Sequence, residues 1–224
     1  MDDQYANLTA KYAAKPDGYY DLSRPEMLQF VPEECKSVLE VGCSSGGFGA
    51  LLKENRSDCE VWGIEPDLTA ALVASSRLDH VINAAYSADL LDLHNKSFDA
   101  VCFFDVLEHM VNPEKALNEC KRLLAENGVV IASIPNILHF YQITKILIEQ
   151  DWRYEDSGIM DNTHLRFFTK KSILRMFELC GYKVHRLEGI YPSYGLKYTI
   201  ANAAMFGRLK DWKYVQFAVV ARIV

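Results

Sequence analysis

The stretch "VLEVGCSSGGFGALL", Val38 to Leu52, decides the fold. Its first half is a short apolar run that reads as a buried strand, and its second half is a helical pattern. Between them lies a glycine-rich turn that lets the backbone come close to a ligand. A second unit of the same kind follows: "EVWGIEP" from Glu60, then "DLTAALVASSRL". "HVINAA" from His80 is a weaker third strand, and "FDAVCFFDVLEH" from Phe98 contains a fourth. The helix "NPEKALNECKRLLAENG" is expected to be capped by Asn112, opened by Pro113 and stopped at Gly128 before a fifth strand, "VVIASIP".

Strands alternating with helices imply a parallel sheet covered on both faces, an α/β Rossmann-like architecture. After Pro135 the pattern changes to a helix, "ILHFYQITKILIEQ", a long polar and aromatic loop, and a helix, "KKSILRMFELCG", capped by Thr169. "YKVHRLEGIY" and "KYVQFAVVARIV" then read as two strands that pair antiparallel at the sheet edge, with an irregular or helical stretch between them. The expectation is one domain over 1–224 with a seven-stranded, mostly parallel sheet and an antiparallel last strand. Its parts are an N-terminal helical lid segment (1–36), a cofactor-binding core (37–135), a substrate-side insertion (136–171) and a C-terminal sheet edge (172–224).

With 224 residues, half of them hydrophobic, the chain has ample material for one core. The net charge of -6 argues against nucleic acid as a partner, because phosphate contacts need a concentrated basic surface. No targeting pattern or membrane-length apolar run appears, so no membrane insertion and a cytoplasmic setting are expected. Six scattered cysteines read as reduced and structural. No cysteine or histidine spacing suits zinc, so metal-independent chemistry is expected.

Measured against the dinucleotide fingerprint G-x-G-x-x-G, the turn fits poorly. From Gly42 the second glycine is replaced by Ser44, although Gly47 fits the third. Glu40 before the turn would set like charge against a pyrophosphate, whereas Glu65, ending the second strand, suits ribose hydroxyls. The combination favours S-adenosylmethionine, which has no phosphate and carries an ammonium and a sulfonium, over NAD. A nicotinamide-dependent reductase or epimerase on a related fold, and a binding subunit without turnover, are the alternatives.

These residues resemble class I S-adenosylmethionine-dependent methyltransferases: "VLEVGCSSGGFG" as the first motif, "GIEPD" as the second, "FDAVCFFDVLEHMVNP" on the fourth strand and "LLAENGVVIASIPN" on the fifth. "WRYEDSGIMDNTHLRFFT" resembles a bacterial branch whose members often accompany glycosyltransferases in cell-surface polysaccharide biosynthesis. The resemblance implies that the loop from Glu40 through Gly42, Cys43, Ser44 and Gly46 passes under the methionine and ribose portions. Glu65 would then hold the ribose, and Pro66 and Asp67 would shape the adenine side. Asp105 would lie beside the methionine or sulfonium portion, Arg24 would pair with the cofactor carboxylate, and Tyr20 would serve as a lid. Where the family commonly has Gly-Asp, this chain has Ala84 and Ala85, which leaves adenine to backbone groups around Tyr86, Ser87 and Ala88 or to stacking.

Methyl transfer is mostly a matter of positioning, but a hydroxyl acceptor, such as a small-molecule or sugar-containing substrate, benefits from a base near neutral pKa. His164 is the first candidate, with Arg166 beside it for an anionic substrate and His109 as a further site residue. The competing structural reading has His164 and Arg166 pinning the loop through backbone bonds. Trp152 and Tyr154 are expected to face substrate, because no regular apolar face explains them in a polar loop.

Overall fold

The computed structural model describes residues 23–90, 93 and 95–224. Seven strands form one sheet: β1 (Ser37–Val41), β2 (Glu60–Ile64), β3 (His80–Ile82), β4 (Phe98–Phe104), β5 (Leu124–Pro135), β6 (Tyr182–Pro192) and β7 (Tyr214–Ile223). Their order is β3-β2-β1-β4-β5-β7-β6. The first five run parallel, and β7 inserts antiparallel between β5 and β6. The apolar β7 is thus paired along both sides, and the half-exposed β6 takes the edge.

Side chains alternate across the sheet and build two cores. Leu39, Ile64, Val101, Phe103 and Val130 point to one face, while Val38, Val61, Cys102 and Ile131 point to the other. Helices α1 (Gly47–Asn55) and α2 (Leu68–Ala74) cover the second core through Phe48, Leu52 and Ala74. Helices α3 (Pro113–Cys120) and α5 (Lys170–Leu179) cover the first through Leu117, Ile173 and Phe177. Helices α4 (Phe140–Glu149) and α6 (Leu196–Ala204) meet outside these layers around Phe140, Tyr198 and Leu209.

Local chemistry explains the starts of the helices. Asn112 Oδ1 accepts the Lys115 N–H (2.8 Å), with Pro113 in the first turn. Thr169 and Ser172 form a reciprocal capping box. One expectation fails: α3 stops at Cys120, well short of Gly128. A short 3-10 turn over Lys121–Leu123 buries Leu123, and Leu124 already pairs with Phe98 in the sheet. Gly128 instead lets two backbones pass, since a Cβ there would lie 2.9 Å from the Phe98 carbonyl oxygen.

All six cysteines are free and buried. No described helix is long and apolar enough to cross a membrane. Of the N-terminal segment, Tyr20 lies outside the described residues, whereas Pro25–Phe30 forms a 3-10 turn whose Met27 and Phe30 enter the second core.

Candidate functional site

The strand order reverses between β1 and β4, and in such sheets ligands bind outside the carboxyl ends of the strands at that point. The loop after β1 occupies this crevice in an unusual conformation, with Gly42, Ser44 and Gly46 all left-handed (φ 69°, 54° and 78°). Gly42 and Cys43 both donate to the Ile64 carbonyl (2.8 and 3.1 Å), which ties the turn to the end of β2. A Cβ on Gly42 would sit 2.6 Å from Val106 Cγ2, so the loops after β1 and β4 touch across the crevice. The Cys43 side chain turns into the core against Gly63 and contributes only its backbone to the loop.

Glu65 closes this cradle. Its Oε2 accepts the Ser44 N–H and its Oε1 accepts the Asp67 N–H, both at 2.9 Å. Burial pushes its carboxyl above the usual range, and the two N–H bonds pull the other way. One lone pair on each oxygen is still available to a diol. Glu40 lies deeper. Burial pushes it up to about 8, partly offset by the Gly49 N–H that donates to it. At neutral pH it is mostly uncharged, so like-charge repulsion of a pyrophosphate is not its main contribution here.

Asp105, at the end of β4, is also left-handed (φ 55°). Its carboxylate pairs with Arg24 and accepts from Ser133 Oγ (3.0 Å) and Gln216 Nε2 (3.2 Å). Arg24 further donates to Glu26, Ser133 Oγ and Gln216 Oε1 (2.8, 2.7 and 3.1 Å). Burial works against the guanidinium charge, and the Asp105 charge and hydrogen bond outweigh it. Arg24 and Asp105 therefore meet in one network, in which both are committed to protein partners. Ser133 and Gln216 were missed in the sequence, although each is a lone polar residue in an apolar strand and therefore a visible signal.

Next to this cradle, Asn83 Nδ2 donates to the carbonyls of Glu65 (2.8 Å) and Pro66 (3.1 Å) and clamps the turn after β2. Pro66 is exposed at its rim. Tyr86 packs edge-on against Phe103 at 5.6 Å, with its hydroxyl buried and unpartnered, and Ser87 Oγ accepts from Asp89 N (3.2 Å).

The loop after α4 folds back onto the turn after β4. The Leu165 and Arg166 N–H groups both donate to the Glu108 carbonyl (2.8 and 3.0 Å). His164 is buried, its Nδ1 3.0 Å from the Ile159 carbonyl, and its ring stands edge-to-face on His109 at 4.6 Å. The Nδ1 of His109 lies 3.2 Å from the Thr163 carbonyl. Burial and the neighbouring His164 pull His109 down to about 4, so it is neutral at ordinary pH. Arg166 points outward and donates to the Val111 carbonyl (2.6 Å). Trp152 stands edge-on to Phe167 at 4.9 Å and Tyr154 tilts over it at 6.2 Å, both about half exposed.

The sequence profile of a methyltransferase domain matches residues 11–187. The chain belongs to this methyltransferase family. Among curated relatives, a ubiquinone biosynthesis O-methyltransferase of Photobacterium profundum is 25% identical over 162 residues, covering 70% of this chain and 67% of the relative. An uncharacterised protein of Methanocaldococcus jannaschii is 28% identical over 136 residues, covering 60% and 51%. The chain thus spans half to two thirds of the length of these relatives. A methyltransferase structure from Archaeoglobus fulgidus, described as dependent on S-adenosylmethionine, superposes with a TM-score of 0.66 at 17% identity, covering 88% of this chain and 90% of that one. The match displaces the nicotinamide alternative, and S-adenosylmethionine is the cofactor of the family.

The residues present fit that cofactor. The left-handed glycines leave an open backbone surface, and the Glu65 carboxylate is held by two N–H groups at the end of β2. Of the arginines near this loop, Arg24 is paired with Asp105, and Arg77 donates to the Ser45 carbonyl (3.1 Å) and Oγ (3.0 Å).

Proposed function

We propose that this protein methylates a hydroxyl oxygen of a small acceptor, with S-adenosylmethionine as donor. The observation that carries the reading is the Glu65 carboxylate, anchored by Ser44 N and Asp67 N beneath the left-handed loop at the switch point of the sheet. The bound cofactor supplies an electrophilic methyl group on a sulfonium sulfur. Gly42, Cys43, Ser44 and Gly46 line its methionine and ribose portions through their backbone, and Glu65 receives the ribose hydroxyls. Pro66 borders the adenine, and the backbone at Tyr86 and Ser87 receives its amino group. Arg24 and Asp105 form the wall on the methionine side, and Glu40 supports the loop from below.

The acceptor enters over the 136–171 insertion, where Trp152 and Tyr154 offer aromatic faces and His109 and His164 stand behind them. A hydroxyl acceptor would take the methyl group that the cofactor supplies, with S-adenosylhomocysteine as the leaving group, and would give up its proton to a base. His164 and His109 are the candidates for that base, whereas Arg166 holds the loop through Val111. The likeness of "WRYEDSGIMDNTHLRFFT" to the glycan-associated branch supports a sugar-containing acceptor from cell-surface glycan assembly. The O-methyltransferase relative supports oxygen as the atom methylated. Six free buried thiols support a cytoplasmic setting. One domain over 1–224, with the four parts expected from the sequence, accommodates this division of labour.

The test is transfer of labelled methyl from S-adenosylmethionine to a panel of nucleotide sugars, lipid-linked sugars and catechols. Labelling of one class at oxygen supports the reading. A protein that binds the cofactor and labels none of them would instead be a binding subunit, the alternative that Ala84 and Ala85 keep open.

A further inference from the structure

The turn after β4 and the loop after α4 bring together three side chains that the donor cradle does not use. Glu108 is 1% exposed, and neither of its carboxylate oxygens has a hydrogen-bond partner. His164 Nε2 lies 4.0 Å from Glu108 Oε1. Each histidine turns Nδ1 to a carbonyl oxygen, Ile159 for His164 and Thr163 for His109. A carbonyl only accepts, so each Nδ1 carries the hydrogen of its bond, and Nε2 is the nitrogen of each ring that would face an ion. The ligand atoms of the three residues lie within 4.8 Å of one another. Two ligands each about 2.1 Å from one tetrahedral ion lie about 3.4 Å apart, so the three side chains close by on the order of 1 Å from the separations seen here when they take one ion.

The chemistry of the cluster favours a cation. The Glu108 carboxyl group and two imidazoles converge in a buried place where an uncompensated charge is costly. The backbone carbonyls on each Nδ1–H fix ring orientation and tautomer, as partners of ligating histidines usually do. The loop is itself braced, since Asp161 Oδ1 accepts both the Thr163 N–H (2.8 Å) and the Thr163 hydroxyl (2.6 Å).

We propose that Glu108, His109 and His164 form a binding site for one divalent transition-row ion of the zinc class. Two imidazoles and one carboxylate suit such an ion and leave coordination positions open. His109, the least buried of the three, marks the side from which an acceptor oxygen reaches it. Coordination there lowers the pKa of the acceptor hydroxyl, whose proton passes to solvent, and the two histidines then serve as ligands in place of the base role given them above. That role rests on the methyl-transfer reading, whereas the binding of the ion does not.

The experiment uses the full chain, stripped with a chelator and dialysed. Zinc chloride is titrated by calorimetry, and cobalt(II) is followed by its visible absorption. One ion per chain is expected, with affinity at least about 10-fold weaker in E108Q and in H164N, each checked for fold by circular dichroism. X-ray absorption on the zinc-loaded wild type needs no variant and is expected to show imidazole scattering. No stoichiometric binding to wild type, undiminished affinity in both variants, or a spectrum without imidazole overturns the site. S-adenosylhomocysteine is titrated into the same stripped protein. Its binding without ion binding overturns the metal site alone, and ion binding without it overturns the methyl-transfer reading alone.

Discussion

Glu65→Gln tests the cradle most sharply, because the carboxylate serves two backbone donors at once. Ser44 N and Asp67 N each lie 2.9 Å from a different oxygen of Glu65. The amide brings one oxygen and one NH₂, so in either orientation one backbone N–H faces a donor and loses its acceptor. A buried donor left unsatisfied costs about 1–3 kcal/mol. At about 2–4 °C per kcal/mol for a domain of this size, the melting temperature falls by roughly 2–12 °C. One of the two ribose hydroxyls also loses its charged acceptor, worth about 1.5–3 kcal/mol, or roughly 10–100-fold in affinity. Calorimetric titration with S-adenosylhomocysteine, together with melts with and without it, measures both effects. A dissociation constant equal to wild type would refute the ribose role, and an unchanged melting temperature would refute the anchoring of the loop.

Further outcomes follow from other parts of the site. Gly42→Ala forces a side chain onto a φ of 69° and within 2.6 Å of Val106 Cγ2, so urea unfolding should show a loss of about 1–3 kcal/mol together with weaker cofactor binding. Glu40 is raised from about 4.5 to about 8 by burial, so the native state holds a proton that the unfolded chain has released between those values. Stability therefore declines as pH rises from 4.5 to 8, by about 5 kcal/mol at most, and Glu40→Gln should flatten that slope in denaturant titrations at pH 5 and pH 8. Asp105→Ala leaves the Arg24 guanidinium buried without its main counter-charge and should cost about 3 kcal/mol, read by thermal melting. Trp152→Ala, at a half-exposed site, should leave stability within about 1 kcal/mol and raise KM for the acceptor with little change in cofactor affinity.

The sheet was legible because its chemistry is local. Buried parallel strands must be apolar throughout, and Asn112 and Thr169 announce their helices by residue type alone. The end of α3 was not legible, since Leu123 and Leu124 fit a helix as well as a strand and only pairing with Phe98 decides between them. The loop at Gly42 and the acid at Glu65 could be read as a pair because both end neighbouring strands. The network of Arg24, Asp105, Ser133 and Gln216 could not be assembled from sequence, because its members come from four separate places in the chain. The same holds for Glu108, His109 and His164: a search for close ligand spacing finds nothing, since the loop must fold back across the sheet before the third residue arrives.

The central claim is that the switch-point crevice holds S-adenosylmethionine. Calorimetric titration of the full chain with S-adenosylhomocysteine and, separately, with NAD tests it most directly. The account predicts saturable binding of one S-adenosylhomocysteine per chain and none of NAD. Binding of NAD, or the absence of any heat with S-adenosylhomocysteine in a folded sample, would contradict it.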